Sequence, residues 1–304
     1  PWEHMESSRP YPGALETHLD RILRDFGRAP FKVVVDGGGG AASLATPRLL
    51  KELGGEVITL NCQPTGTFPR GSEPLPENLN ELMALVTSTG AHLGIAHDGD
   101  GDRTVAVDDK GRFIPGDKLL ILLARGLGVS RLVTTVDATM ALEETGLEVV
   151  RTKVGDAHVS EALKKKGGDL GGEPAGAWIF PRISYCPDGL YAAAQLAFMA
   201  SAERLSALVD SIPSYPLLRG SVEGNAAWAP LEERLMDLKP LSTNGEDGVK
   251  LLFADGWLLV RPSGTEPKIR VSAEARDAKE AERLFRRGME IVRASVKEEQ
   301  GALR

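Results

Sequence analysis

The sequence predicts an α/β protein: two similar α/β domains with mixed sheets, followed by a smaller α+β C-terminal domain. Three observations carry this. Short apolar runs such as FKVVVD and EVITL alternate with stretches of helical spacing, the rhythm of parallel sheets. The rhythm restarts after Pro115, with PGDKLLILLARGLG, RLVTTVD and EVVRTKVGD. Past residue 213 it changes to gathered strands and one long terminal helix. The expected domains are 1–114, 115–213 and 214–304.

Residues 14–26 set Leu15, Leu19, Ile22, Leu23 and Phe26 at helical spacing. FKVVVD reads as a buried strand, DGGGGAAS as a turn, LATPRLLKELGG as a helix with a glycine stop, and EVITL as the next strand. Gly37 to Gly40 could cradle a phosphate at a helix start. They lack both the Lys-Ser/Thr ending of a P-loop and a G-x-G-x-x-G, so a structural turn is the expectation. Residues 63–78 are crowded with proline and glycine and read as a surface loop. NLNELMALVTSTG is a helix. AHLGIAHD is a strand that delivers an acidic loop at its C-terminal end, where α/β sheets place their sites. TVAVDD and RFIP form a hairpin around Lys110 and Gly111.

In the second domain, ATMALEETG and AHVSEALKKKGG read as helices, and ISYCPDGLYAAAQLAFMASAE ends in a long one. Residues 211–220 (SIPSYPLLRG) read as a linker. A helix near 229–238 follows, then the hairpin GVKLLFADGWLLVRP about Asp255-Gly256, the strand IRVSAEA and an amphipathic helix.

The 304 residues leave room for two or three domains. Apolar content of 42% and charge of 26% are ordinary for a soluble globular protein. A net charge of −7 argues against a general nucleic-acid binder. No apolar run is long enough to cross a bilayer, and there is no signal-peptide pattern, so no membrane partner is expected. Cys62 and Cys186 give neither a disulfide framework nor zinc spacing, which points to a reducing cytoplasm. The chain begins at Pro1 without a methionine, and a missing upstream segment is expected. Oligomeric state is not readable.

The stretch AHDGDGDRTVAVDDKG (96–111) carries the strongest chemistry. Asp98, Asp100 and Asp102 alternate with glycines, and three carboxylates within five residues repel one another unless a cation sits among them. Oxygen donors suit a hard ion, Mg²⁺ or Ca²⁺. An EF-hand fails on spacing: counted from Asp98, the sixth position is Arg103 and the twelfth is Asp109, where glycine and glutamate are needed. Arg103 is suited to hold phosphate oxygens beside such an ion. A haloacid-dehalogenase-like phosphatase built on Asp98 fails because Asp102 occupies the place of the Thr in D-x-D-x-T. His97 is expected to pack, and Lys164 to Lys166 to form a solvated helix end.

The second signal is RPSGTEPKIR (261–270), where Arg261, Ser263, Gly264, Thr265, Lys268 and Arg270 crowd donors into one glycine turn suited to an anion. Glu173 lies in a glycine-rich turn with no positive neighbour in sequence, and Lys153 and Asp156 flank the turn in TKVGD. The phosphate loop has no aromatic interleaving, which argues against single-stranded nucleic acid.

DGDGDR, GGEPAG and RPSGTEPKIR, in that order and spacing, resemble the α-D-phosphohexomutases, a family that includes phosphomannomutases, phosphoglucomutases and phosphoglucosamine mutases. The similarity extends to FP-x₃-EP-x-PENL (68–79), VGD (154–156), CPDG (186–189) and the opening PWE. The resemblance implies interconversion of hexose 1-phosphate and 6-phosphate through a phosphoserine and a bisphosphate intermediate. It implies Mg²⁺ on Asp98, Asp100 and Asp102, Arg103 steadying the serine phosphate, and a hexose bisphosphate as activator. Glu173 would hold sugar hydroxyls. Arg261, Ser263, Gly264, Thr265 and Arg270 would grip the phosphate that is not reacting, and Lys153 would add a contact.

No Thr-x-Ser-His-Asn-Pro-like loop occurs in these residues. The resemblance therefore places the chain at domains two to four, with the N-terminal phosphoserine domain as a missing partner. The segment alone is expected to bind Mg²⁺ and hexose phosphate weakly and not to turn over. Ala175 and Ala177 stand where many members have Ser and His, which leaves glucose, mannose and glucosamine phosphates open. The alternative from another class is a non-catalytic sugar-phosphate-binding protein.

Overall fold

The computed structural model describes residues 10–264 and 266–302. Thr265 and the opening PWE lie outside the described residues. Packing divides the chain into two units: Pro1–Ile114 with Asp188–Ala207, and Pro115–Pro187 with Leu208–Arg304.

In the first unit, α1 (Ala14–Leu23) precedes β1 (Lys32–Asp36), α2 (Ala45–Glu52), β2 (Glu56–Leu60), α3 (Asn80–Thr89), β3 (Leu93–His97), β4 (Thr104–Asp108) and β5 (Phe113–Ile114). The sheet order is β2-β1-β3-β4-β5, with the first three strands parallel and the last two antiparallel. β3 and β4 are buried along their whole length, as strands covered on both faces must be. Val34, Leu79, Leu82, Val86, Val105 and Val107 form one core cluster. Each such side chain contributes roughly 1.5–3 kcal/mol on burial.

The helix α6 (Gly189–Ala202) belongs to this unit, although the sequence boundaries place it with residues 115–213. It is apolar nearly all round and must be covered on every side. Its neighbours are α2, β3 and β4. Helix α1 ends at Leu23, short of the expected Phe26, with Arg24 N–H capping back to the Asp20 carbonyl.

The second unit contains α4 (Gly116–Leu127), β6 (Arg131–Thr135), β7 (Glu148–Thr152), α5 (Asp156–Lys166), β8 (Leu170–Gly172) and β9 (Trp178–Ile179). The order β7-β6-β8-β9, two parallel pairs and then an antiparallel strand, repeats the opening of the first sheet. The expected helix in ATMALEETG is only a 3₁₀ turn, Met140–Glu144. The Thr139 hydroxyl caps it, and the Arg151 guanidinium takes up the carbonyls of Ala138 and Thr139, which ends helical propagation.

After α7 (Leu205–Asp210) come β10 (Leu217–Glu223), α8 (Trp228–Met236), β11 (Ser242–Asn244), β12 (Val249–Leu252), β13 (Gly256–Pro262), β14 (Lys268–Ala275) and α9 (Ala278–Ala302). These strands form an antiparallel sheet, β10-β14-β13-β12-β11. The linker expected at 211–220 is overturned in its second half. Leu217–Glu223 zips along the whole of β14 despite Pro213 and Pro216 just before it. One face of this sheet, with Leu258, Val260, Ile269, Val271 and Ala273, packs on α8 and α9.

On the other face, Trp257 and Leu259 join Val136 of the neighbouring sheet. Polar groups fix that seam. Glu274, 1% exposed, accepts hydrogen bonds from Thr139 Oγ1, Met140 N and Trp257 Nε1. Lys250 Nζ donates to the Val136 carbonyl at 2.6 Å and lies 4.1 Å from the Trp257 ring centre. Burial holds the Lys250 ammonium down to about 7, with Arg151 pushing the same way.

Candidate active site

The aspartate loop links β3 to β4 in the first unit. Asp98 is buried, Asp102 is partly buried and Asp100 is exposed. One carboxylate oxygen from each lies within 4.8 Å of the others. Asp98 Oδ1 accepts the backbone N–H groups of Gly101 (3.1 Å) and Arg103 (3.2 Å), which curls the loop. Asp102 is pushed up to about 6 by burial, and then by the charges of Asp98 and Asp100. Three hard oxygen donors, crowded and partly buried so that their charges call for a counter-ion, fit a divalent hard cation.

Arg103 is held by three hydrogen bonds. Its Nε donates to Asp98 Oδ2 at 2.6 Å, and Nη1 and Nη2 donate to the two oxygens of Glu73. Glu73 belongs to the FP-x₃-EP stretch, whose role in the site no local pattern announces.

The loop is seated from below. Burial holds His97 down to about 4, so its ring is neutral. Thr104 Oγ1 donates to the Gly189 carbonyl, so it accepts from Nδ1–H of His97, which also faces the Arg103 carbonyl. Nε2 then accepts from Thr46 Oγ1 at 2.9 Å. His97 is thus the packing residue the sequence suggests. The Gly37–Gly40 turn packs against the same loop. Ala41 N–H donates to the Gly99 carbonyl, and a Cβ on Gly40 would lie 2.4 Å from that oxygen. Arg70, buried with Asp36 at 2.8 Å, reaches the His97 carbonyl and ties the proline-rich loop to the same point.

The other site residues lie in the second unit. Asp137 follows β6, the Lys153–Asp156 turn follows β7, and Glu173 follows β8. Three adjacent parallel strands therefore gather them at one carboxyl edge. Glu173 accepts from Gly155 N–H at 2.8 Å, and Val154 N–H donates to Asp247 at 3.1 Å. Burial raises the Glu173 carboxyl; Asp137 and Asp156 add to this, while the Gly155 N–H and Arg261 oppose it. Gly116 permits the close packing of α4 on the Glu173 loop, since a Cβ there would lie 1.8 Å from the Pro174 carbonyl oxygen. Lys153 is exposed.

Asp247 also stands 3.6 Å from Arg261 Nη1, linking the turn to the RPSGTEPKIR loop. Arg261 and Arg270 line a pocket of ≈ 270 Å³ with Arg219, Lys268 and Asp137. Ser263 Oγ is buried without a hydrogen-bond partner among the described residues, and Gly264 is exposed. Thr265, singled out with them, lies outside the described residues. The structure thus brings Glu173, Arg261 and Arg270 into one neighbourhood. It adds Asp137, Arg219 and Asp247, none of which sits in a recognisable motif.

This fold, with an oxygen-donor cluster on one sheet and an arginine-lined pocket on another, defines a class of sugar-phosphate enzymes. The chain belongs to the phosphoglucomutase/phosphomannomutase family. Profiles of its α/β/α domain II, α/β/α domain III and C-terminal domain match residues 15–111, 115–215 and 217–295. A protein of Methanocella arvoryzae named "Probable phosphoglucosamine mutase" is 46% identical over 97% of this chain and 69% of its own length. One of the same name from Pyrococcus horikoshii is 40% identical over 92% of this chain and 66% of its own length. The crystal structure of a phosphoglucomutase/phosphomannomutase family protein from Burkholderia thailandensis superposes with a TM-score of 0.83 at 29% identity. That match covers 92% of this chain and 64% of that one, so the chain spans about two thirds of the relatives it matches. Aspergillus fumigatus N-acetylphosphoglucosamine mutase, solved with GlcNAc-6P and magnesium, shares the fold: TM-score 0.64, 19% identity, 93% of this chain and 65% of that one.

Proposed function

We propose that these residues are the metal-, sugar- and phosphate-binding part of a phosphohexomutase acting on glucosamine phosphate. The observation that carries this reading is the bridge from Glu173 through the Gly155 turn and Asp247 to Arg261. It joins an acidic edge to a basic pocket. Glucosamine phosphate is bipolar in the same sense. Its phosphate suits the arginines, and its C2 ammonium suits the carboxylates of Glu173, Asp137 and Asp156. The names of the relatives above support the same sugar.

In the proposed cycle a phosphoserine gives its phosphoryl group to one hydroxyl of the hexose monophosphate. The resulting bisphosphate returns its other phosphoryl group to the serine. No Thr-x-Ser-His-Asn-Pro-like loop lies within the 304 residues, so we assign that serine to a segment outside them. Asp98, Asp100 and Asp102 would hold Mg²⁺, which when bound neutralises charge on the phosphoryl group in transfer. Arg103, still held by Glu73 and Asp98, would direct its two remaining N–H donors to phosphoserine oxygens. Arg261, Ser263 and Arg270 would orient the sugar by its distant phosphate, and orientation is worth several kcal/mol, about 7–11 in the best intramolecular cases.

The test is an assay of the intact protein, with any segment encoded ahead of Pro1, for interconversion of glucosamine 6-phosphate and 1-phosphate with a bisphosphate activator. Turnover is the expected result. Tight binding of glucosamine 6-phosphate without turnover of any hexose phosphate would instead identify a non-catalytic binding protein.

A further inference from the structure

The basic pocket is built on one face of the C-terminal sheet. Register pairs Arg219 with Ser272, Ser221 with Arg270, and Arg270 with Arg261 across β10, β14 and β13. Residues directly opposite one another share a face, and alternation along each strand keeps 219, 221, 270, 272 and 261 on that face. The neighbours between them, Val222, Val260, Ile269 and Val271, point the other way into the core under α8 and α9. The pocket is therefore a continuation of the sheet surface, with Arg261 and Arg270 side by side and Arg219 one step along β10, opposite Ser272.

The three guanidinium groups share an unusual state. Each stands 3.6 Å from a carboxylate: Arg219 from Asp117, Arg261 from Asp247 and Arg270 from Glu266. That distance is too long for a hydrogen bond. None of the three makes a hydrogen bond to any described residue. By contrast Arg70 and Arg103 are locked in bonds of 2.6–2.8 Å. A guanidinium carries five N–H donors, and all three line a pocket whose lining holds one carboxylate, Asp137. A phosphoryl dianion, with three terminal oxygens and several acceptor directions each, matches those uncommitted donors.

We propose that Arg219 is a phosphoryl ligand of this site, contributed by β10 and absent from the RPSGTEPKIR stretch. The proposal rests on the phosphohexomutase reading above. The competing role for Arg219 is simple neutralisation of Asp117, which is 13% exposed.

Titration calorimetry on the intact protein separates these, with inorganic phosphate, glucosamine 6-phosphate and phosphate-free glucosamine as probes. Arg219→Gln and Arg261→Gln are each expected to weaken both phosphate probes at least tenfold and to leave the glucosamine response unchanged. If Arg261→Gln loses affinity and Arg219→Gln does not, Arg219 serves Asp117 alone and the proposal falls. If neither variant loses affinity, the pocket is no phosphate site and the functional reading falls with it. Should Arg219→Gln fail to fold, the double variant Asp117→Asn/Arg219→Gln removes the charge imbalance. Wild-type phosphate affinity in the double variant overturns the proposal, and a tenfold loss supports it.

Discussion

Arg103 grips Glu73 fork to fork, Nη1 to Oε2 at 2.6 Å and Nη2 to Oε1 at 2.7 Å, while its Nε holds Asp98. The pair fixes the guanidinium plane beside the aspartate loop. Glu73 is 47% exposed, and such pairs contribute only about 0–1 kcal/mol to stability. Glu73→Gln is therefore expected to leave denaturant unfolding almost unchanged. A misplaced Arg103 is expected to lower kcat of the intact enzyme by about tenfold, with KM little affected. Steady-state kinetics check this, and an unchanged kcat would remove Glu73 from the site.

The aspartates differ in what they support. Asp100 is exposed, so Asp100→Asn is expected to abolish Mn²⁺ binding by electron paramagnetic resonance while the melting temperature stays where it was. Asp98 is 1% exposed and accepts three hydrogen bonds. Asp98→Asn is expected to lose metal and also roughly 1–3 kcal/mol of stability.

Gly40 has ordinary backbone angles, φ −94° and ψ −164°, so alanine there is opposed by contact alone. The added Cβ would press on the Gly99 carbonyl and displace the loop. Gly40→Ala is expected to cost about 1–3 kcal/mol and to weaken Mn²⁺ binding in the same resonance measurement. Gly27→Ala, with nothing within 4 Å, is the neutral control.

Glu173→Gln keeps an oxygen for the Gly155 N–H but removes the charge. Affinity for glucosamine 6-phosphate is expected to fall about tenfold, as loss of a charged hydrogen bond implies, and affinity for glucose 6-phosphate to fall less. Equal losses for both sugars would contradict recognition of the ammonium.

Lys250 gives a pH signature. Its folded-state value of about 7 lies below the 10.5 of a free lysine, so between these limits the unfolded chain binds the extra proton. This contribution to stability therefore rises as pH climbs from about 7 towards 10.5, and is flat below 7. The urea midpoint of wild type, compared with Lys250→Met at pH 7 and pH 9, should show that rise in wild type only.

Local pattern was enough for β1 to β7, β12 to β14 and most helices. The valines of β1 and β4, the glycine stops and the spacing of Asp98, Asp100 and Asp102 all act within a few residues. Groups matched over long separations were not readable. Glu73 meets Arg103 thirty positions away, Asp247 meets Val154 across 93, and Arg219 joins its pocket only through the pairing of β10 with β14. Leu217 to Gly220 read as linker because Pro213 and Pro216 speak for a turn, while the long partner strand that recruits them lies fifty residues on.

Because α6 packs with the first unit, the polypeptide leaves that unit after Ile114 and revisits it at Asp188. On the ribosome, the strands that present the aspartate loop must wait for more than seventy further residues before their covering helix emerges. During that interval the apolar flank meant for α6 is open to the solvent. A chaperone, or a cut at residue 114, would meet this half-finished surface: the first segment released by such a cut lacks α6, which stays on the second.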